Sequence, residues 1–421
     1  MIEGRVPHSM KVVQINVTNY GSTGAIVNGI SRRIIEDGGS VTCFFGRLRK
    51  SSGINSDTSR AEEFRVGGRL SLLSHVILAR LGGNGHGSYF ATKALCRKLL
   101  EMKPDVIVLH NIHGYYLNVK LLWETLAALT ETKVYWYLHD SWSYTGGCAY
   151  YSAVNCEKWK KNRKKCLRLS NCGKCPCLSS DYPVAYIDTT RREYFLKRRL
   201  FTALPEDRLT LISPSDWLAG ELSHSFLSIY PRIVKHTEPD RTVFYRRSRE
   251  EQAAALAGIA PDKAPGGKTP DNGAPDDMAP GCNAFGGKIV LAVSMVWDNR
   301  KQPEMVLEVA KLLPEYTFIM VGLKPGQIRK MTRKGLPGNV FLRGRTSSRE
   351  ELAALYSAAD VLLNPSLEDN YPLVPLEAQC CGTPVVSSNC CGNPETVTDG
   401  IVVDDPRSAA DYAEGIRKLL A

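Results

Sequence analysis

The sequence lacks any apolar run as long as the roughly 20 residues that a membrane-spanning helix needs. No secretory signal follows its first residues either. Hydrophobic residues make up 43% of the chain and charged residues 23%, which is typical of a globular protein. These features predict a cytoplasmic protein that is soluble or peripherally bound to a membrane.

Several catalytic patterns are also absent. The glycine turn at Asn19–Ala25, after the first predicted strand, does not have the G-x-G-x-x-G spacing of a dinucleotide site. His110 and His113 are three residues apart with no obvious carboxylate partner, which is a poor metal pattern. No serine–histidine arrangement marks a nucleophile. The sequence therefore argues against a dinucleotide site and gives little support for a catalytic metal.

Acidic residues are fewer than basic ones, 43 against 54, so the formal net charge is +11. Much of the local excess lies in Lys158–Lys165 and in Arg191–Arg199. Basic patches attract the phosphates of lipids, acidic glycans or nucleic acids without distinguishing among them, and many are simply solvated. The patches predict affinity for anions and do not identify the partner.

The segment Leu70–Leu81 is mostly apolar. It is too short to cross a bilayer, but it is long enough to lie on a membrane surface or to cover an acceptor groove. A helix of the protein core is the simpler interpretation of the same pattern.

A chain of 421 residues is too long for one ordinary core, so we expect two domains. Strand-like runs alternate with helical patterns, as in parallel sheets covered by helices. The predicted strands are Lys11–Val17, Val106–His110, Val134–His139 and Leu209–Ser213, and then Lys288–Ser294, Tyr316–Val321, Val340–Leu342, Val361–Leu363 and Val385–Val386. We expect an α/β protein with two doubly wound domains facing a central cleft, in which the ligand binds.

The expected boundaries follow composition. Residues 1–9 contain Ile-Glu-Gly-Arg, a protease-site string, and we interpret them as an expression tag. The N-terminal domain is expected at 10–235, with a cysteine-rich basic insertion at 146–178. A linker at 236–259 and a mobile loop at 260–287, rich in Pro, Gly and Asp, lead to a C-terminal domain at 288–421.

The insertion holds many of the thirteen cysteines. Cys148, Cys156, Cys172 and Cys175 contain a C-x-x-C pair and could supply a structural zinc site, with Cys166 and Cys177 nearby. Reduced thiols in a packed loop and disulfides are the alternatives.

The most informative stretch is Pro365–Val386. It predicts a strand end, a loop and a short helix, and Pro372 and Pro375 suit a helix start where free amides converge on an anion. Asp369 and Glu377, eight residues apart, flank this position. Carboxylates accept hydrogen bonds from sugar hydroxyls, and amides suit a diphosphate, so the stretch suits a nucleotide sugar.

Two further motifs follow predicted strands. Trp297–Gln302 contains Lys301, which could neutralise a diphosphate leaving group. His139 ends the strand before Asp140 and could bind a sugar hydroxyl or phosphate, although a structural histidine is the alternative.

Pro365–Val386 resembles the retaining glycosyltransferases of family 4, which have the GT-B fold. That family has an acidic residue, seven others, a glutamate, and later Pro-Val-Val. Asp369 takes the acidic position, where glutamate is usual, and Glu368 lies one residue early. Met295 stands where many members have arginine. The cysteine-rich segment resembles bacterial exopolysaccharide, colanic acid, capsule and lipopolysaccharide enzymes.

The resemblance implies roles for individual residues. Asp369, Lys301 and His139 would be catalytic. Donor binding would fall to Gly21, Gly24, Leu342, Arg343, Asn370, Tyr371, Pro372, Leu373 and Glu377. The region of His110, His113 and Tyr144 is assigned to the acceptor side.

The resemblance implies a metal-independent retaining transfer of a sugar from a UDP- or GDP-linked donor to a glycan or lipid-linked acceptor. It predicts no catalytic cofactor and no nucleic acid partner, and it places the protein at the inner face of a bacterial membrane if membrane contact occurs. A sugar-nucleotide epimerase and a zinc-stabilised nucleic-acid-binding protein are the alternative functions.

Overall fold

The computed structural model describes residues 9–49, 61–160, 172–179, 183–259 and 287–421, and the chain divides into two units, Met1–His236 and Thr237–Ala421. The predicted tag and the predicted mobile loop lie outside the described residues, except for the last residue of each. Cys166 and most of Lys158–Lys165 also lie outside them. The predicted limits of the insertion and linker stay predictions.

The N-terminal unit contains a seven-stranded sheet with parallel pairing. Its strands are β1 (Lys11–Thr18), β2 (Ser40–Arg47), β3 (Glu62–Arg65), β4 (Val106–Leu109), β5 (Lys133–Tyr137), β6 (Leu209–Ser213) and β7 (Arg232–Val234). Its helices are α1 (Gly21–Glu36), α2 (Arg69–Arg80), α3 (Tyr89–Met102), α4 (Val119–Ala128), α5 (Thr190–Phe201) and α6 (Asp216–Ser223). The strand order is β3-β2-β1-β4-β5-β6-β7. The four residues of β4 are all buried, which explains its uninterrupted apolar sequence.

The C-terminal unit contains a six-stranded parallel sheet. Its strands are β8 (Ile289–Val293), β9 (Thr317–Val321), β10 (Val340–Leu342), β11 (Val361–Asn364), β12 (Val385–Ser388) and β13 (Gly400–Val403). Its helices are α7 (Arg249–Ala257), α8 (Pro303–Leu312), α9 (Pro325–Lys334), α10 (Arg349–Ala358), α11 (Leu373–Cys380) and α12 (Ala409–Leu420). The strand order is β10-β9-β8-β11-β12-β13.

Side chains at the helix starts explain several of these boundaries. Ser248 and Glu251 form a reciprocal capping box at α7. The hydroxyls of Ser348 and Ser408 accept backbone hydrogen bonds at the starts of α10 and α12. Proline occupies the first position of α8, where its missing N–H costs no hydrogen bond.

Both sheets reverse their strand order at one point. In the N-terminal unit this point lies between β1 and β4, and in the C-terminal unit it lies between β8 and β11. In open parallel sheets, ligands bind beyond the carboxyl ends of the strands at such a switch point. The predicted pair of doubly wound α/β domains is confirmed, and the loops after these four strands are the places to look for a site.

The interpretation of Leu70–Leu81 as a core helix is wrong. The segment forms most of α2, but the buried residues of this helix are His75 and Ala79. Leu70, Leu73 and Ile77 expose 83%, 58% and 55% of their surface. Within the described ranges, no helix is long and apolar enough to cross a membrane.

Candidate active site

Two loops meet at the switch point of the C-terminal sheet. One follows β8 and the other follows β11, and these strands are paired in parallel. Leu367 donates its backbone N–H to the carbonyl of Arg300 over 2.7 Å. The side chain of Gln302 donates to the carbonyl of Pro365 over 2.6 Å. The two loops therefore form one hydrogen-bonded surface at the carboxyl edge of the sheet.

Lys301 lies at the centre of this surface. Its Nζ is 2.5 Å from Oδ2 of Asp369, and the two side chains remain 18% and 28% exposed. The carboxylate of Asp298 accepts hydrogen bonds from the backbone of Arg300 and Lys301 and so fixes the short turn that carries the lysine. The structure brings together the two residues that the resemblance named as catalytic in this unit.

The adjacent carboxylates Glu368 and Asp369 have different surroundings. Glu368 is only 1% exposed, whereas Asp369 reaches the partly exposed Lys301. The carbonyl of Asp369 also accepts the backbone N–H of Gly392 over 2.9 Å. A Cβ atom on Gly392 would lie 1.9 Å from the carbonyl oxygen of Asn370, so glycine is required for this close approach. The geometry favours Asp369 over Glu368 as the accessible acidic residue.

The loop after β11 leads into the N-terminus of α11. Pro372 is extended and stands just before the helix, and Pro375 occupies its first turn. The backbone N–H groups of Leu373 and Val374 have no acceptor within the helix, because a helix leaves its first amides unpaired. These amides and the helix dipole give the start of α11 a partial positive charge that suits an anion.

Glu377 lies on α11 and is largely buried. The hydroxyl of Tyr356 donates a hydrogen bond to its Oε2 over 3.2 Å. Burial raises the pKa of Glu377 to about 7, although Tyr356 and the positive charge of Arg349 act in the opposite direction. Near neutral pH this carboxyl is therefore divided between its protonated and its ionised form.

Arg343, which follows Leu342 and was predicted to bind the donor, uses its side chain and its backbone N–H for contacts within the protein. The guanidinium of Arg343 pairs with Glu351 and donates to the carbonyl of Ala255 over 3.2 Å. Its backbone N–H donates to the carbonyl of Met320 over 2.8 Å. The side chain of Arg343 therefore braces α7 and α10, and base recognition in this region stays a prediction.

The N-terminal switch point holds a buried polar chain. The amide nitrogen of Gln14 donates to the carbonyl of Val27 and to the hydroxyl of Ser31, so its Oε1 is the acceptor for His110 Nε2 at 3.1 Å. The other nitrogen of His110 is 3.1 Å from Nε2 of His139.

These hydrogen bonds determine which nitrogen of each histidine ring carries the proton. Burial lowers the pKa of His110 well below its usual value, and burial lowers that of His139 to about 4, so both rings are neutral near pH 7. Neutral His110 donates from Nε2 to Gln14 and therefore accepts at Nδ1 from His139. His139 consequently carries its proton on Nε2, and Nδ1 is its unprotonated nitrogen.

The same hydrogen bonds give His110 a role other than the predicted contact with the acceptor. It is only 1% exposed and both its nitrogens are engaged, so we assign it to the orientation of His139 rather than to acceptor contact. Tyr144 is fully buried and donates to the hydroxyl of Ser141 over 2.9 Å, which places it in the core. His113 Nε2 is 2.7 Å from Oδ2 of Asp140.

Asp140 is ionised despite its burial. Burial opposes ionisation, but His113 and the backbone N–H of Trp142 outweigh it and hold the pKa of Asp140 below its usual value. Its other oxygen caps the turn at Ser141–Ser143. These hydrogen bonds support a role for Asp140 in capping this turn.

The glycine turn after β1 has a steric reason. A Cβ atom on Gly24 would lie 2.5 Å from the carbonyl carbon of Asn19, so only glycine allows this turn. Gly21 begins α1 with φ +74°, a left-handed conformation that favours glycine, and has open space beside it. The structure thus explains both glycines through the backbone, and a contact with the donor stays a prediction.

A nitrogen NMR experiment tests which nitrogen of His139 carries the proton. We expect Nδ1 of His139 to have the chemical shift of an unprotonated nitrogen and Nε2 that of a protonated one, without titration between pH 6 and 8, because its pKa lies near 4. His110→Phe should allow the other tautomer and lower kcat about fivefold, since one neutral hydrogen bond contributes about 1 kcal/mol. A wild-type proton on Nδ1 would contradict the assignment.

Sequence reasoning missed three residues of these networks. Gln14 is a polar residue within the apolar run of β1, and this interruption is the signal that could have revealed it. Asp298 precedes the turn of Lys301 and has the residue type of a cap. Tyr356 gave no signal, because only the fold brings α10 beside α11.

Comparison with known proteins identifies the domain type. Residues 287–421 match the family model of glycosyl transferases group 1. The chain is 25% identical over 390 residues to WcaC of Escherichia coli K12, named for colanic acid biosynthesis, covering 90% of this chain and 83% of WcaC. It is 34% identical over 144 residues to D-inositol 3-phosphate glycosyltransferase of Mycolicibacterium smegmatis, but spans only 32% of that relative.

Solved structures agree on the fold. HepE of Anabaena in complex with UDP-glucose has a TM-score of 0.61 at 14% identity, covering 98% of this chain and 90% of HepE. WaaG, a glycosyltransferase of lipopolysaccharide biosynthesis, has a TM-score of 0.58 at 18% identity, covering 97% and 90%. The chain has the GT-B fold and is homologous to WcaC, and residues 287–421 form a glycosyl transferases group 1 domain.

Proposed function

We propose that this protein transfers a sugar from a nucleoside diphosphate sugar to an acceptor hydroxyl during the synthesis of a bacterial surface polysaccharide. The observation that carries the proposal is the contact between Lys301 and Asp369 at the switch point of the C-terminal sheet, next to the start of α11. A cation, a helix N-terminus and an accessible carboxylate in one place suit a diphosphate attached to a sugar.

The roles follow from the charges. Lys301 and the first amides of α11 stabilise the negative charge that develops on the departing diphosphate, so the transfer step needs no metal. Asp369 accepts hydrogen bonds from the hydroxyls of the sugar, and Glu377 accepts those of the ribose. His139 keeps its predicted role at the donor sugar.

We propose that the reaction retains the anomeric configuration. The bond between the anomeric carbon and the phosphate oxygen breaks, and the acceptor oxygen forms its bond to that carbon on the same face. The acceptor proton passes to the oxygen of the leaving diphosphate. Because the leaving group acts as the base, the proposed step needs no protein nucleophile.

The relatives support a role in surface polysaccharide synthesis. WcaC is named for colanic acid and WaaG for lipopolysaccharide, and HepE binds UDP-glucose. The matched family model supports a transferase rather than a sugar-nucleotide epimerase or a nucleic-acid-binding protein.

A donor panel tests the function. We expect one of the UDP-, GDP- or ADP-sugars to raise the Tm and to release its nucleoside diphosphate when lipid-linked or glycan acceptors are added. Proton NMR of the product should show the anomeric configuration of the donor. Stabilisation by a donor whose sugar is epimerised and never transferred would contradict the proposal, and so would an inverted product.

We further propose that the acceptor reaches this protein at a membrane surface. The exposed apolar residues of α2 recur at helical spacing, at Leu70, Leu73 and Ile77, so they lie on one face. Tyr186, which is 71% exposed, donates its N–H to the carbonyl of Arg80 at the end of this helix. An apolar helix face with arginine at both ends, on a chain of net charge +11, suits an anionic bilayer.

Vesicle binding tests this surface. The double variant Leu73→Asp/Ile77→Asp should lower binding to phosphatidylglycerol vesicles at least tenfold, because burying each side chain contributes about 1 kcal/mol or more. Leu312→Asp is the matched control, since Leu312 is 44% exposed on α8 of the other unit. Equal binding of the double variant and the control would contradict the proposal, as would equal affinity for phosphatidylcholine.

A further inference from the structure

Four cysteines of the N-terminal unit surround one small cavity. Its lining includes the sulfur-bearing side chains of Cys148, Cys156, Cys172 and Cys175. They come from three separate stretches of chain, so only the fold brings them together. We propose that these four sulfurs bind one structural zinc ion.

The C-x-x-C turn has a backbone suited to this role. Gly173 has φ +136° and Lys174 has φ +48°, so the chain turns sharply between Cys172 and Cys175 and both side chains can reach the same side. The backbone N–H of Cys177 donates to the sulfur of Cys175. The N–H of Gly146 donates to the sulfur of Cys172 over 3.1 Å. Backbone donors of this kind hold the sulfurs in a fixed orientation, as hydrogen bonds to metal ligands do.

The sulfurs are arranged as two neighbouring pairs. The thiols of Cys148 and Cys175 are hydrogen-bonded to each other, and Cys172 lies near Cys156 and Cys175. Within the described residues, no three of these sulfurs all lie within 4.8 Å of one another. Zinc binding therefore requires the sulfurs to draw together, by rotation of side chains around the cavity they already line.

The choice of zinc follows from the ligand type. Four thiolates around one centre form the tetrahedral set of structural zinc sites. Oxidation of neighbouring pairs to disulfides is the alternative outcome, and the experiments below distinguish it from zinc binding.

The metal would fasten this loop to the start of α5. Lys158 donates from Nζ to the carbonyls of Gly173 and Lys174, and Asp188 accepts the backbone N–H of Cys175. A Cβ atom on Gly146 would lie 2.3 Å from the carbonyl of Thr190, so the loop packs directly on the start of α5. This loop continues from His139 and Asp140 at the end of β5, and the ion would hold that segment in place without contacting substrate.

Metal analysis of the intact wild-type protein is the direct test. Protein purified from zinc-supplemented cells, in reductant and without chelator, should contain about one zinc ion per chain by mass spectrometry. Replacement by Co²⁺ should give the intense visible absorption of tetrahedral thiolate coordination. Zinc-free protein whose four thiols all react with Ellman's reagent would overturn the proposal, and so would a disulfide between Cys148 and Cys175. None of these readings depends on catalysis.

Variants then test the ligand set. Cys156→Ser and Cys175→Ser should lose the bound zinc or bind it at least tenfold more weakly. Cys177→Ala is the matched control, because it removes a neighbouring thiol and keeps the N–H that donates to Cys175. Loss of zinc from the control with retention in Cys156→Ser would overturn the assignment. The zinc content of the wild-type protein tests the proposal without any variant, so the proposal can still be contradicted if a variant fails to fold.

Discussion

Lys301→Ala is expected to lower kcat by about 10²–10³-fold, the usual loss when one charge-stabilising group is removed from a transition state. Lys301 is held by the turn that Asp298 caps and is partly exposed beside Asp369, so its ammonium is positioned for a ligand. Because charge on the diphosphate grows as the sugar departs, kcat should fall more than the affinity for the donor.

A matched variant separates this effect from general loss of charge. Lys311 is an exposed lysine on α8 in the same unit, and Lys311→Ala should leave kcat unchanged. Initial rates with the best donor, together with the Tm of each variant, provide the measurement. A Lys301→Ala enzyme with wild-type kcat and wild-type Tm would contradict the role of Lys301.

Glu377→Gln is expected to stabilise the free protein above neutral pH and to weaken nucleotide binding there. Burial raises the pKa of Glu377 from 4.5 to about 7, so the folded state binds the proton more tightly than the unfolded state. The resulting stability is complete below pH 4.5 and is lost as the pH rises through 7. The loss of unfolding free energy is roughly 3 kcal/mol at most. The Glu377→Gln variant does not lose this stability, because glutamine stays neutral at every pH.

Binding should change in the opposite direction. A ribose hydroxyl donates to the ionised carboxylate, so wild-type affinity for the nucleoside diphosphate should rise between pH 6 and 8. Glu377→Gln should bind 10–100-fold more weakly at pH 8, since a hydrogen bond to a charged group contributes about 1.5–3 kcal/mol. Urea unfolding and calorimetric titration at both pH values measure the two effects.

The exposed Glu308 on α8 supplies the control. Glu308→Gln should show neither the gain in stability nor the loss of affinity. If Glu377→Gln were less stable than wild type at pH 8, this result would contradict the claim that the ionised, buried carboxylate of Glu377 destabilises the folded protein.

The central strands of each sheet could be predicted because their chemistry is local. The predicted strand Leu209–Ser213 agrees with β6, and the predictions Lys11–Val17 and Val361–Leu363 are each one residue shorter than β1 and β11. Central parallel strands are buried on both faces, so they form apolar runs that a sequence reveals directly. The strands between which the order reverses, by contrast, could not be identified from the sequence.

Strands away from these runs were missed. β3 and β7 form the two edges of the N-terminal sheet and β13 forms an edge of the other. β3 has the sequence Glu-Glu-Phe-Arg and none of its residues is buried, so it lacks the apolar pattern. Its partner β2 is well buried, and its mixed sequence, Ser-Val-Thr-Cys-Phe-Phe-Gly-Arg, hid it.

The candidate site divides in the same way. Lys301 and Asp369 could be named from a motif, because each follows a strand that ends at the switch point. The orientation of His139 by Gln14 and His110 could not, because these residues come from three strands or strand ends far apart in sequence. The exposure of individual side chains could not be predicted either. The apolar residues of α2 are exposed, whereas Tyr144, predicted to contact the acceptor, is buried.

The account depends most directly on where a sugar diphosphate binds, and a crystal structure of the protein with the best nucleoside diphosphate sugar measures this. We predict that oxygens of the diphosphate lie within hydrogen-bond distance of Lys301 Nζ and of the first amides of α11, and that Asp369 has released Lys301 to accept a sugar hydroxyl. A donor bound elsewhere, with the contact between Lys301 and Asp369 intact, would contradict the account.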